Sequence, residues 1–150
     1  MDGAEGVMIN TWTLVDPGIL KQYWIDTYNG NKLHLKSYGI CGGSTNLYFE
    51  NWKISYTELL SLNSKCLYIT ETIGHGSNIV TGDYSVGATG FLVENGEFKY
   101  PINEITIAGN FKDMFQNLNL ANDLEFEYSI NSPTMMIEGM VVAGKWMITV

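Results

Sequence analysis

The sequence predicts a mainly β (α+β) domain: a curved, largely antiparallel sheet or partial β-barrel carrying two short helices. Three observations predict it. Apolar residues recur mostly with period two, the spacing of a half-buried strand. Turn-forming pairs punctuate these runs, at Asp16-Pro17-Gly18, Asn29-Gly30 and Asn95-Gly96. Only two stretches combine a helix cap with helical spacing.

Along the chain, "GVMINTWTLVDPGILKQYWIDTY" reads as two strands around the turn at Pro17 and Gly18. Pro17 presets the turn and Gly18 tolerates a positive φ. In the second strand Tyr23, Ile25 and Thr27 alternate with Trp24, Asp26 and Tyr28. Asn29-Gly30 marks a turn into "KLHLKSYGI", where His34 alternates with Leu33 and Leu35. "ICGGST" reads as a loop. Ser55 and Glu58 have the spacing of a capping box ahead of Leu59, Leu60 and Leu62, predicting the first helix. "KCLYITETI" returns to strand character. "GFLVENGEFKYP" is the clearest hairpin, with Asn95-Gly96 suited to a type I′ turn. Asn110 can cap the second helix, where Phe111, Met114, Phe115 and Leu118 fall at i, i+3, i+4 and i+7. From Asp123 onward strands resume, broken at Pro133, Gly139 and Gly144; Asp123, Glu125 and Glu127 alternate along one of them toward solvent.

The chain has 150 residues, 45% of them hydrophobic and 13% aromatic, which fits a single domain, 1–150, able to bury a core. Its formal net charge is −8, with only eight Lys and Arg. That composition argues against nucleic acid as a partner, because such binding needs basic side chains to displace counterions. It argues equally against an anionic membrane surface. No apolar run is long enough to span a bilayer, and the first residues lack the pattern of a secretory signal. Cys41 and Cys66 do not form a metal-type pair and read as reduced thiols of a cytoplasmic protein. Trp12, Trp24, Trp52 and Trp146 read as core or interface anchors rather than a ligand cage.

The richest stretch is "GHGSNIVTGDYSVGATG", residues 74–90. A phosphate cradle needs glycines leading into a helix N-terminus, usually with a lysine. Here the glycines are scattered through strand and turn, and no lysine lies between Lys65 and Lys99. Ser77 and Ser85 lie near His75 and Asp83, but a hydrolytic triad is defined by geometry and there is no Gly-x-Ser-x-Gly elbow. A catalytic zinc needs about three protein ligands, and the chain holds only His34 and His75 without a His-Glu-x-x-His motif. No catalytic residue and no metal ligand is therefore assigned. The exposed candidates for peptide or partner contacts are His75, Thr81, Asp83 and Tyr84, and the glycines read as places where strands bend or backbones approach.

The order of motifs adds to this. "YWIDTYNGNKLHL", "LYITETIGHGSNIVTGDYS", "ENGE", "YPINEITIAGN" and "PTMMIEGMVVAG" together resemble the TldD/PmbA family, from about Gly6 to Gly144, and the PmbA (TldE) branch more than the TldD branch. The resemblance implies a role in a peptidase complex formed by TldD-like and PmbA-like subunits, which matures ribosomally made peptides and degrades certain proteins. An older label for the family is modulator of DNA gyrase. The resemblance further implies that zinc belongs to the TldD-like partner and that the PmbA-like chain carries no cofactor of its own. Only the family's C-terminal β-rich domain is matched; its N-terminal α/β domain is not. The implied partners are a TldD-like subunit or a second copy of this chain as a dimer, and a peptide substrate. The rival reading is an independent β-rich module that binds a peptide or small molecule. An autonomous enzyme using His75 and Asp83 ranks below both.

Overall fold

The computed structural model describes residues 5–6, 11–16, 18–37 and 46–144. Pro17, Cys41, Trp146 and the loop expected at "ICGGST" lie outside the described residues. Contacts divide the chain into two compact units, each described by itself: residues 1–48 with 126–131, and residues 49–125 with 132–150.

The second unit is organised by a long antiparallel hairpin. Strand β3 spans Asp83–Glu94 and β4 spans Glu97–Asn110. The turn between them is the expected one: Asn95 has φ 52° and Gly96 φ 79°, so both central residues are left-handed, as a type I′ turn requires. Strand β2, Lys65–Ile73, pairs antiparallel with β3. Strand β8, Val141–Gly144, pairs antiparallel with the end of β4. The order β2-β3-β4-β8 makes an open four-stranded sheet, not a closed barrel.

Its core is Val86, Ala88 and Leu92 of β3 with Ile102, Ile105 and Ile107 of β4, and Leu67, Ile69, Tyr84 and Met140 pack against it. The β3 residues alternate strictly, as period two demands. The β4 residues do not, because Ile102 and Ile105 are three apart. A bulge resolves this: Ala88 pairs with Ile105 but Gly90 pairs with Ile102, leaving one extra residue on β4. Glu104 takes that strain with φ 54°. Both isoleucines thereby reach the same apolar face. At Gly90 a Cβ would fall on the Tyr68 carbonyl of β2, so the centre of the sheet closes only around a residue without a side chain.

Helix α2, Tyr56–Ser61, has the complete capping box, with Glu58 N donating to Ser55 Oγ and Ser55 N donating to the Glu58 carboxylate at 2.8 Å. The Ser55 hydroxyl, donating to Glu58 Oε2 at 2.7 Å, and then the Ser55 N–H hold the Glu58 carboxyl below the usual carboxylate range. Leu59 and Leu60 are buried. Helix α3, Phe111–Gln116, is capped by Asn110 as expected. It ends sooner than the i+7 spacing suggests. Asn117 turns its Nδ2 back onto the Asp113 carbonyl at 2.9 Å, and Leu118 opens strand β5, Leu118–Leu120, which pairs with β7, Met135–Ile137. Cys66, half-buried in β2, has its thiol pKa pushed up by burial.

The strand expected from Asp123 through Glu127 does not form. Asp123 is instead tied to Thr134, accepting from its N at 2.8 Å and its Oγ1 at 2.7 Å. Burial raises the Asp123 pKa, but these bonds outweigh it and the net shift is downward.

The first unit corrects the reading of its sequence. Among the described residues the two strands expected around Pro17 reduce to a single bridge, Val15 to Leu20. Thr27–Leu33, read as strand, turn and strand, is helix α1, a third helix beside the two expected. Asp26 caps it, accepting from Asn29 N at 2.6 Å, so the alternation of Tyr23 to Tyr28 stops where a cap begins. Gly30 is buried inside the helix rather than at a hairpin tip. His34 is the helix C-cap with φ 55°, not a strand residue between two leucines. The unit also holds a two-residue parallel pair, β1 (Leu47–Tyr48) with β6 (Ile130–Asn131), braced by the buried Asn131 amide. Trp12 and Trp24 meet edge to face, ring centroids 6.2 Å apart.

Candidate functional site

The signature stretch lies at the open end of the β3–β4 hairpin. Residues 76–78 fold back beside the start of β3: Ser85 N donates to the Gly76 carbonyl and Asn78 N to the Asp83 carbonyl, each at 2.8 Å. The approach is so close that a Cβ on Gly76 would fall on the Ser85 carbonyl. The result is a tight loop, Ile79-Val80-Thr81-Gly82, between Asn78 and Asp83.

Polar side chains hold that loop from below. Asn78 Oδ1 accepts from Val80 N at 3.0 Å and Thr81 N at 3.2 Å, an Asx turn. Gly82 closes it with φ 80°, its N donating to the Asn78 carbonyl at 2.8 Å. Thr81 Oγ1 donates to Asp83 Oδ2 at 2.7 Å. Asn110 Nδ2 reaches across from β4 to the Thr81 carbonyl at 3.1 Å and Asp83 Oδ1 at 3.2 Å. Its Oδ1 accepts from Lys112 N at 3.1 Å, capping α3. One asparagine thus joins loop, strand and helix. The hydroxyl of Thr81, then the amide of Asn110, hold the Asp83 carboxyl below the usual carboxylate range.

What the loop presents is apolar. Ile79 is 90% exposed and Val80 88% exposed. Beside the loop's base runs an aromatic row: Tyr84 to Phe111 at 5.6 Å and Phe111 to Phe115 at 6.3 Å between centroids. Phe115, at the end of that row, is 61% exposed. On the other side of Asn110 a cleft of about 210 Å³ opens between α3 and the start of β8, lined by residues including Asp113, Met114, Glu138, Met140 and Val141.

Of the four candidate residues, the structure brings Thr81 and Asp83 together. Tyr84 is half-buried and packs partly on the sheet core. His75 is exposed beyond the end of β2 and takes no part in the network. The Asp83 carboxylate bonds to Thr81 and Asn110 rather than orienting an imidazole, so a His75–Asp83 catalytic pair has no support in this geometry. Sequence reading missed Asn78, Ile79, Val80 and the bridging role of Asn110. The "NIVTG" pattern, two β-branched apolar residues enclosed by turn formers, was the available signal.

Among the described residues no three of His, Cys, Asp and Glu gather as a metal ion would need. Among the described residues no helix is long and apolar enough to cross a membrane.

Comparison with known proteins bears on this whole region. The profile of the PmbA/TldA metallopeptidase C-terminal domain matches residues 2–144. The metalloprotease PmbA homologue of Buchnera aphidicola subsp. Baizongia pistaciae is 43% identical over 143 residues, covering 94% of this chain and 32% of that protein. The metalloprotease PmbA of Escherichia coli O157:H7 is 41% identical over 143 residues, covering 95% of this chain and 32% of its own length. A crystal structure from Thermotoga maritima, described as a modulator of a DNA gyrase, superimposes with a TM-score of 0.85 at 30% identity, over 93% of this chain and 34% of that one. The chain thus spans about a third of the length of the curated relatives it matches.

Proposed function

Because the chain belongs to the PmbA/TldD metallopeptidase family, through its C-terminal domain, we propose that it is the PmbA-like, non-catalytic part of a zinc peptidase complex that processes peptides. The observation that carries this reading is the braced loop. A turn held by six side-chain hydrogen bonds, yet presenting Ile79 and Val80 almost fully to solvent, is built for contact rather than catalysis. Rigid presentation lowers the entropy lost on docking, and apolar anchors supply the affinity. The partner is a TldD-like subunit, which brings the zinc, or a second copy of this chain.

The open sheet gives the second half of the reading. Strands β2 and β8 are its edges, and an extended peptide can add to such an edge through main-chain hydrogen bonds. The complex acts in the cytoplasm on peptides. Direct contact with DNA is not part of this reading, since a net charge of −8 repels phosphate. The test is co-purification of this chain with a TldD-like protein, zinc analysis of each component, and peptide cleavage with and without the chain. Retention of the partner, zinc in the partner alone and an altered cleavage rate are expected. Absence of both binding and any effect on cleavage defeats the proposal.

A further inference from the structure

Strand β8 and the cleft beside α3 are continuous, because Val141 belongs to both. Among the described residues the strand ends the sheet order; it is exposed along its length and carries Val141 and Val142 as exposed apolar residues. The cleft at its start has an apolar floor and an acidic wall. The floor exists because Gly109 lacks a side chain: a Cβ there would lie 3.3 Å from Cγ and Sδ of Met114 and 3.7 Å from Cε of Met140. Asp113 and Glu138, both acidic, are among the residues that line its wall. Glu138 also accepts from Asn63 Nδ2 at 2.8 Å, which holds it in place. At about 210 Å³ the cleft is smaller than an ordinary small-molecule site and suits one side chain.

We infer that β8 and this cleft together form a subsite for an extended basic peptide, whose main chain adds to the β8 edge and whose Lys or Arg side chain enters the cleft. The inference rests on the strand-addition part of the reading above. Charge complementarity selects the occupant. A long basic side chain lays its aliphatic stem on apolar surface and keeps its charged head among oxygen acceptors. Met114 and Met140 are adaptable enough to take either stem. A carboxylate entering between Asp113 and Glu138 is repelled, and a short neutral side chain leaves the wall unused.

The test is binding of three fluorescein-labelled heptapeptides, measured by anisotropy at pH 7 and low salt. The first alternates Thr and Val around a central Lys, the second replaces Lys with Met, and the third keeps Lys beside a Pro. The Lys peptide is expected to bind about five-fold more tightly than the Met peptide, the scale of one well-placed ion pair. The Pro peptide, which cannot complete the strand ladder, is expected to bind at least about ten-fold more weakly than the Lys peptide. The Asp113→Asn/Glu138→Gln variant, both positions exposed, should bind the Lys and Met peptides equally while keeping its circular dichroism. Equal affinity of the Lys and Met peptides in the parent chain overturns the basic subsite while leaving strand addition intact. A Lys preference that survives the double variant overturns the assignment to this cleft. Unweakened binding of the Pro peptide overturns the β8 edge. Failure of all three peptides overturns the subsite and strand addition together, and co-purification with a TldD-like subunit then decides whether subunit pairing stands alone.

Discussion

The two ends of the β3–β4 hairpin are built by different means. At the closed end, two backbone conformations at Asn95 and Gly96 suffice, and the strands pair directly up to Glu94 and Glu97. At the open end, Asp83 and Asn110 are also paired across the strands, but the structure beyond them depends on side chains: Asn78, Thr81, Asp83 and Asn110 hold a loop together. The closed end turns the chain, and Asn95 N donates to the Ser64 carbonyl at 2.9 Å, just ahead of β2. The open end leaves Ile79, Val80 and Phe115 in solvent and borders the cleft at Met114. Here polar side chains take over from the core at the point where the core stops.

The comparison breaks most severely if the core between the two ends is removed. Ile105→Ala, at a fully buried position, is expected to cost about 3 kcal/mol in urea unfolding, from lost transfer energy plus a cavity. Both ends should loosen together. Gly96→Ala tests the closed end: a left-handed residue with a new Cβ against Ser61 Oγ is expected to cost about 2 kcal/mol. Peptide and partner binding should survive it once the chain is folded. Asn110→Ala tests the open end and is expected to cost about 1 kcal/mol, by removing a helix cap. Unlike Gly96→Ala, it should also weaken binding of a TldD-like partner, because loop and helix lose their common tie. If both variants weaken binding equally at matched stability, the division of labour between the ends is wrong.

Acid gives a finer test. The folded pKa of Asp83 is depressed, so its contribution to stability is present above the ordinary aspartate pKa and is lost as pH falls through the folded value. Asp83→Asn should therefore remove a small part of the stability decline below about pH 4, the unfolded aspartate range. The group is exposed, so the effect is slight; an unchanged acid profile would sink this account of the loop. The smallest stability effect is expected from Ile79→Ser with Val80→Ser, within about 0.5 kcal/mol of the parent by thermal unfolding. That same variant should lose partner binding, which is the sharpest separation of contact from folding available here.

Much of the second unit was legible because its signals are local. The Asn95-Gly96 turn, the Ser55–Glu58 capping box, the strand from Lys65 to Ile73 and the Asn110 cap each depend on residues a few positions apart. The first unit was misread for a related reason. Alternation across Tyr23–Tyr28 and an Asn-Gly pair are weak evidence when a strand has no long partner beside it. Asp26 as a helix cap then decided the outcome. Leu118 shows the same limit, since its helical spacing yields to pairing with Ile137. At the site, Thr81 and Asp83 could be chosen from sequence because they are two residues apart. Asn110 could be seen only as a cap, because its other partners lie 27 and 29 residues away.

The sequence by itself determined the antiparallel hairpin, two of the helices and membership in a family, because turn chemistry, capping and ordered motifs are written over short spans. Tertiary structure alone decided that Ile102 and Ile105 share a face, that Asn110 ties loop to helix, and that Gly109 opens a cleft between Met114 and Met140. Each of these depends on a register shift or a close approach between strands and helix. Such contacts are set by the packing of distant segments, which no local pattern encodes.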